Sequence, residues 1–241
     1  MRATGTTTVC AAMALGLACG LTSSRALATT YNWVTWNTIS PQAVAANTSL
    51  GTLSVVTSSP QTVLPNWGIT FNNVSFTPVV AQSAAVQSGF NNTPWNFVVN
   101  FTGVANTAGV VVGLGNFGYG PGYPGYRLKA FDKSGNPMSL TQLGIIGSCD
   151  HTWNFNGTQF NDNIALNTTT GDFVITQVAG LNQNNSDILL MSMPSNLGWL
   201  DVSTIGPANG DTINVVVAVP APGGAGLAAM CGLVALRRRR R

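Results

Sequence analysis

The sequence predicts an all-β protein, a single jelly-roll-like β-sandwich with an apolar segment at each end of the chain. Between residues 29 and 219, short runs of β-branched and aromatic residues alternate with turn residues, which is typical of sandwiches and barrels. The run Trp95–Phe101 places Trp95, Phe97, Val99 and Phe101 on one face. The run Ile213–Val219 is apolar on both faces, which indicates a central, buried strand.

Individual elements follow from the same pattern, and one helix is expected among the strands. Pro78–Ser88 is predicted as that helix, with Thr77 as N-cap and Gly89 as terminator. Glycine-containing turns at 132–136 and 168–172 would close hairpins. The candidate strands are Thr52–Thr57, Gly68–Phe76, Trp95–Phe101, Gly109–Leu114, Tyr126–Phe131, His151–Phe155, Asp172–Gln177, Asp187–Met193 and Asp211–Val219.

The N-terminal segment has the three parts of a secretory signal peptide. Met1–Arg2 is positively charged, Val9–Leu21 is apolar, and Ala26 and Ala28 form the small-x-small pattern of a cleavage site. We therefore expect signal peptidase to remove residues 1–28 and leave 29–219 as an exported domain. Lipidation at Cys19 is the alternative.

The C-terminal segment, residues 220–241, combines an apolar block with a basic cluster. Gly224–Leu236 carries no charge, but it is shorter than the about 20 residues that span a bilayer comfortably. Basic residues beside such a segment stay on the cytoplasmic side. The orienting residues are Arg237, Arg238, Arg239, Arg240 and Arg241. The tail therefore predicts a short transmembrane helix in the inner membrane, with the rest of the chain outside.

The order of motif, apolar helix and arginine cluster resembles the PEP-CTERM sorting signal of bacterial envelope and exopolysaccharide-associated proteins. The resemblance covers Val219–Arg241, and Ala221 stands where the family usually has glutamate. It implies recognition by an exosortase, a membrane-embedded cysteine transpeptidase, and removal of the tail during delivery to the surface. The matching motif consists of Pro220, Ala221, Pro222 and Gly223. An ordinary short C-terminal anchor is the alternative.

The charge of the exported domain argues against nucleic acid as a partner. Most of the basic residues lie in the two terminal segments, so three cations face seven aspartates between residues 29 and 219, a net charge of −4. A basic surface for phosphates is therefore missing. Cys149 is the one cysteine of the domain, so the domain contains no internal disulfide.

Catalytic constellations are weakly indicated. Cys149 and His151 could share a strand face, but the chain has no second histidine to complete a zinc site. We therefore expect a structural cysteine beside a surface histidine. The chain has no glutamate, so a hydrolase would need two aspartates across a cleft. No catalytic residues and no resident cofactor are assigned.

Calcium is the one metal that the sequence suggests. Asp162 with Asn161 and Asn163, or Asp132 with Asn136, would supply the hard oxygen ligands that calcium prefers.

A glycine- and proline-rich segment at 115–126 presents Tyr119, Tyr123 and Tyr126. Their rings could stack on sugars, with a tryptophan such as Trp95 or Trp153 completing a platform. Alternatively, the segment folds back and packs its rings on the domain. The sequence thus predicts a non-catalytic envelope or matrix protein, with a carbohydrate-binding module as the alternative and extracellular polysaccharide as its partner.

Overall fold

The computed structural model describes residues 31–72, 80–88, 93–118, 123–154, 157–177, 185–206 and 211–221. Within these ranges nearly all regular structure is β, with one short 3-10 helix at Leu140–Gln142 and no α-helix. The prediction of an all-β protein is therefore confirmed. The same ranges contain no helix with the length and hydropathy needed to cross a bilayer.

Eighteen strands are defined in the described ranges and are named in chain order. They are β1 Tyr31–Trp33, β2 Asn37–Ser40, β3 Ala43–Thr48, β4 Gly51–Thr57, β5 Thr62–Phe71, β6 Val80–Gln87, β7 Asn96–Val104, β8 Val111–Gly115, β9 Tyr126–Asp132, β10 Pro137–Met138, β11 Gly144–Cys149, β12 His151–Trp153, β13 Gln159–Phe160, β14 Asn163–Leu166, β15 Phe173–Thr176, β16 Ile188–Ser192, β17 Leu197–Thr204 and β18 Thr212–Pro220.

The strands form two large antiparallel sheets and one hairpin. The first sheet has the order β11-β16-β8-β18-β6-β5-β12-β13, with β1 paired to the end of β18. The second has the order β10-β9-β17-β7-β4-β3-β2, and β14 pairs with β15 alone. Neighbours in the sheets are mostly distant in sequence, so long-range pairing defines the fold.

One apolar core joins the two large sheets. Val215 and Leu114 from the first sheet share a buried cluster with Phe97, Val99 and Leu200 from the second. The inward face of β7 is the face that the alternation in Trp95–Phe101 predicts, because Trp95, Phe97, Val99 and Phe101 are all buried. Burial of apolar side chains in such a core is the main favourable contribution to folding.

β18 is buried on both faces, as its continuous apolar sequence predicts. Residues Ile213 to Ala218 are fully buried, and β18 pairs with β8 on one side and β6 on the other. Its odd-numbered valines join the core between the sheets, while Val216 and Ala218 pack in a second cluster with Ile69 and Ile188. The strand therefore belongs to two apolar layers.

The predicted helix at 78–88 is wrong. Val80–Gln87 forms β6, which lies between β5 and β18 in the first sheet. Small side chains, among them Ala81, Ser83, Ala84 and Ala85, are fully buried there, so close packing in the sheet overrides the helix propensity of alanine. The predicted N-cap and terminator lie outside the described residues.

The two ends of the domain lie side by side. β1 pairs antiparallel with the end of β18, so that Tyr31 faces Pro220, Asn32 faces Val219 and Trp33 faces Ala218. The first described residue is therefore adjacent to the first proline of the proposed sorting motif.

Candidate functional site

The tyrosine segment is partly described, and its three tyrosines have different environments. Tyr119 lies outside the described residues. Tyr123 is half-buried and packs over Gly118, where an added Cβ would collide with the tyrosine ring. Tyr126 is only 1% exposed, and its ring packs against Phe117 at a tilt of 33° with a centroid separation of 4.7 Å. The face of Tyr126 is therefore covered by protein, and the ring cannot serve as an exposed sugar platform.

Tyr126 instead belongs to a buried polar network with Asp211. The tyrosine hydroxyl donates a hydrogen bond to Asp211 Oδ2, which also accepts from the backbone N–H of Gly118 at 3.0 Å. Asp211 Oδ1 accepts from Thr212 N at 2.8 Å. Burial raises the pKa of both Asp211 and Tyr126 above their usual values, and the carboxylate raises that of Tyr126 further. The network is structural in character, because it is closed to solvent.

Cys149 and His151 are both buried, so the expected surface histidine is wrong. His151 is 0% exposed and stacks on Phe160, with ring centroids 4.8 Å apart. Neither of its ring nitrogens has a hydrogen-bond partner in the described ranges. The residue is buried because β12 lies between Phe71 of β5 and Phe160 of β13.

Burial also sets the protonation states of these two residues. Desolvation lowers the pKa of His151 to about 3 and raises the pKa of Cys149 to about 11. At neutral pH the pair is a thiol and a neutral imidazole. A catalytic thiolate with a protonated imidazole requires the opposite shifts.

Three aspartates meet where β11 and β16 approach the segment before β14. Asp187 is 1% exposed, and its Oδ2 accepts from Ser148 Oγ at 3.0 Å. Its backbone N–H donates to the Asp162 carbonyl at 2.8 Å. Desolvation raises the pKa of Asp187 to about 7, and the nearby carboxylates of Asp150 and Asp162 add to the rise. Asp187 Oδ1 has no hydrogen-bond partner among the described residues.

These carboxylates do not form an evident metal centre. Within the described ranges, no set of three or more histidine, cysteine or acidic side chains is arranged to hold a metal ion. Asp132 is already engaged by donors, because it accepts from Ser134 N at 2.9 Å and from Asn136 N at 2.8 Å. Calcium at Asp162, Asn161 and Asn163 stays a prediction.

A cleft with a volume of about 550 Å³ lies along the outer edge of β9. Two neighbours cover this edge at different points. The turn after β14 reaches it where Leu128 N donates to Gly171 O at 2.8 Å, and β10 reaches it where Met138 pairs with Ala130. The cleft lies in the gap between them, and Lys129 is one of the residues that line it. The sequence pattern does not indicate this site, since it depends on packing between distant segments.

An aromatic pair stands beside the cleft on the outer face of the second sheet. Phe131 of β9 lies directly opposite Trp199 of β17, and their rings stack at 5.0 Å with an angle of 17°. Phe131 also lines the cleft. The period-2 alternation of β9 indicates that Phe131 points away from the core, and this is the sequence signal that could have found it.

The predicted sorting and cleavage residues fall at or beyond the ends of the described domain. Pro220 is the last residue of β18, and Ala221 is the last residue described. The other motif residues, the arginine cluster and the signal cleavage site lie outside the described ranges. Trp95 is buried and Trp153 is half-buried against Trp67, with an edge-on contact of 5.5 Å between ring centroids. Buried Trp95 therefore cannot complete an exposed platform, and a platform of Tyr119, Tyr123 and Trp153 stays a prediction because Tyr119 lies outside the described residues.

Comparison of the chain with models of known protein families and with curated proteins gives no match in either case.

Proposed function

We propose that this chain is a non-catalytic bacterial protein of the cell envelope or extracellular matrix. Signal peptidase cuts after Ala28, and an exosortase-type enzyme recognises the motif at Pro220–Gly223. Until that step, the apolar segment Gly224–Leu236 anchors the protein in the inner membrane, with Arg237–Arg241 on the cytoplasmic side.

The order of the terminal segments carries this proposal. An export signal precedes the domain. A motif, an apolar block and a basic cluster follow the domain, in the order expected for a sorting signal. The buried states of Cys149 and His151 support a role without nucleophilic catalysis, because burial holds each residue in the form that is unsuited to it.

We infer that the two large sheets and their common core form a jelly-roll-like β-sandwich. The shared cluster of buried residues from both sheets supports this description. Such a domain exposes the outer face of the second sheet, whereas the outer face of the first sheet carries the second apolar cluster.

The test of delivery is truncation followed by fractionation. Removal of residues 222–241 leaves β18 and its pairing with β1 intact, because Pro220 is the last strand residue. We expect the truncated protein in the medium and the complete chain in the envelope fraction. Replacement of Arg237–Arg241 by glutamines in the complete chain tests orientation separately. Retention of the truncated protein at the envelope would contradict the proposed sorting.

A second candidate function, carbohydrate binding, is favoured by the aromatic cleft along β9. Phe131 stacks on Trp199 and also lines a cavity bordered by hydroxyl side chains, a combination that suits a sugar ring. This candidate agrees with the surface location and places the ligand at β9 instead of the tyrosine segment. Saturation-transfer NMR with a panel of methyl glycosides tests it, and absence of transfer from every sugar would exclude it.

A further inference from the structure

We propose that the cleft along β9 binds a sugar residue that carries a carboxylate, with Lys129 contacting the carboxylate and Phe131 the apolar face of the sugar ring. The inference rests on the carbohydrate-binding function proposed above and names the ligand class of that site. It assigns separate tasks to two residues that are two positions apart on one strand face.

The cleft has the size and the construction of a small-ligand site. Its volume of about 550 Å³ lies within the range of about 300–1,000 Å³ usual for such sites. Its lining combines apolar side chains from Leu128, Ala130 and Leu140 with polar groups at the rim. Because hydrogen bonds from the β14–β15 turn and pairing with β10 hold both ends, the cleft exists before a ligand arrives.

Phe131 is held as a fixed stacking surface. Trp199 covers one side of the ring at a centroid distance of 5.0 Å, and Phe131 contributes its remaining surface to the cleft. The turn at Gly135 in turn supports Trp199, since a Cβ at this glycine would lie 3.5 Å from the indole ring. A supported ring loses little entropy when a ligand packs against it.

Lys129 is the available cation of the described residues. Arg127 forms an ion pair with Asp172 at 2.7 Å, and Lys133 donates to the carbonyl oxygens of Val104 and Ala105 at 2.6 and 2.5 Å. Lys129 is exposed and has no ion-pair partner in the described ranges.

The surroundings of Lys129 favour an anionic ligand in the cleft. None of the residues that line the cleft is acidic. Asp201 of β17 lies directly opposite Lys129 on the neighbouring strand, but it does not line the cleft, and its Oδ1 accepts from Asn96 Nδ2 at 3.2 Å. A carboxylate in the cleft would therefore meet a positive charge, and hydrogen bonds between charged partners are the stronger class.

Hydroxyl side chains at the rim match the hydroxyls of a sugar. Ser139 and the turn Thr168–Thr170 supply them, and the turn is held by Asn167 Oδ1, which accepts from Thr169 N at 3.0 Å and from Thr170 N at 3.3 Å. Hydroxyls act as both donors and acceptors, as a polyhydroxylated ligand requires.

The test compares acidic and neutral sugars with the full-length protein purified from an exporting host. Methyl glucuronide, galacturonide and mannuronide are each titrated by calorimetry beside the corresponding neutral methyl glycoside. We expect at least one uronide to bind about tenfold more tightly than its neutral counterpart, which corresponds to one hydrogen bond between charged groups. Equal binding of every pair, or no binding, would overturn the inference.

Variants of the two central residues complete the test. Lys129→Met should remove the preference for the uronide, and Lys129→Arg should retain it. Phe131→Ala should weaken the binding of both the uronide and the neutral glycoside. Lys133→Met is the matched control, because it removes the same charge outside the cleft. Thermal melting verifies the fold of each variant. A uronide preference that survives Lys129→Met would also overturn the inference, whereas the location of the protein in the cell has no bearing on these measurements.

Discussion

The Tyr126 hydroxyl donates a hydrogen bond to the Asp211 carboxylate and thereby joins the two large sheets. Tyr126 begins β9 in the second sheet, and Asp211 directly precedes β18 in the first. Asp211 also exchanges backbone and side-chain hydrogen bonds with Ser88, at 2.9 Å for Ser88 N to Asp211 O and 2.8 Å for Asp211 N to Ser88 Oγ. A single aspartate thus connects three segments of the chain.

Tyr126→Phe should lower the free energy of unfolding by about 1–3 kcal/mol, because it leaves a buried carboxylate without one of its donors. Urea denaturation followed by tryptophan fluorescence measures the change. Tyr123→Phe is the matched control, since Tyr123 is only half-buried, and it should stay close to the parent protein. Equal destabilisation by the two substitutions would contradict a specific role for the Asp211 contact.

His151 should make the protein sensitive to acid. Its folded pKa is about 3, below the value of about 6.5 for an exposed histidine, so the unfolded chain binds the proton more tightly. The contribution of neutral, buried His151 to the free energy of unfolding is fully present above pH 6.5 and is lost as the pH falls towards 3. Between pH 8 and pH 5, this effect should lower the free energy of unfolding by about 2 kcal/mol.

His151→Phe measures this contribution directly. The phenylalanine ring retains the stacking on Phe160 but does not titrate. We expect the difference in unfolding free energy between variant and parent to move in favour of the variant as the pH falls from 8 to 5. A difference that is constant over this range would show that His151 titrates normally.

Asp187 should stabilise the folded protein as the pH falls, whereas His151 destabilises it. Its folded pKa of about 7 exceeds the usual carboxyl value, so the folded state binds the proton more tightly and gains stability as the pH falls from 7 towards 4. Asp187→Asn should be most favourable relative to the parent above pH 7 and should lose that advantage at pH 4. Asp201→Asn on the outer sheet face is the control, and a parallel pH response of the two variants would refute the assignment.

Gly113 is required by close packing in the first sheet. A Cβ at this position would lie 2.5 Å from Val216 Cγ2, and 2.7 Å from both Ile188 Cγ2 and Leu190 Cδ2. Gly113→Ala should cost about 1–3 kcal/mol through overpacking. Gly206→Ala, where no heavy atom lies within 4 Å, should be close to neutral, and thermal unfolding of the two variants measures the difference.

Local sequence patterns predicted the strands that bury one or two complete faces. Trp95–Phe101 and Ile213–Val219 have such patterns, and both match strands of the structure closely. The helix prediction at Pro78–Ser88 rests on local end signals, Thr77 as N-cap and Gly89 as terminator, whereas the pairing of β6 with β5 and β18 is decided by segments far away in the chain.

The candidate site was harder to predict than the strands for the same reason. Phe131 and Trp199 are 68 positions apart, and only the pairing of β9 with β17 brings their rings together. The burial of His151 likewise depends on Phe71 and Phe160 from two other strands. Residue types alone indicated neither relationship, since a sequence pattern reports periodicity but not the identity of the neighbouring strand.

The pairing of Tyr31 with Pro220 places the start of β1 and the end of β18 side by side. Ala28 is three positions before Tyr31, and Ala221 follows directly after β18. One extended residue covers only about 3.3 Å, so a processing enzyme acting next to Pro220 would work almost against the folded surface. If the proposed tether pulled on Ala221, β1 and β18 would separate one residue pair at a time, beginning with Tyr31 and Pro220.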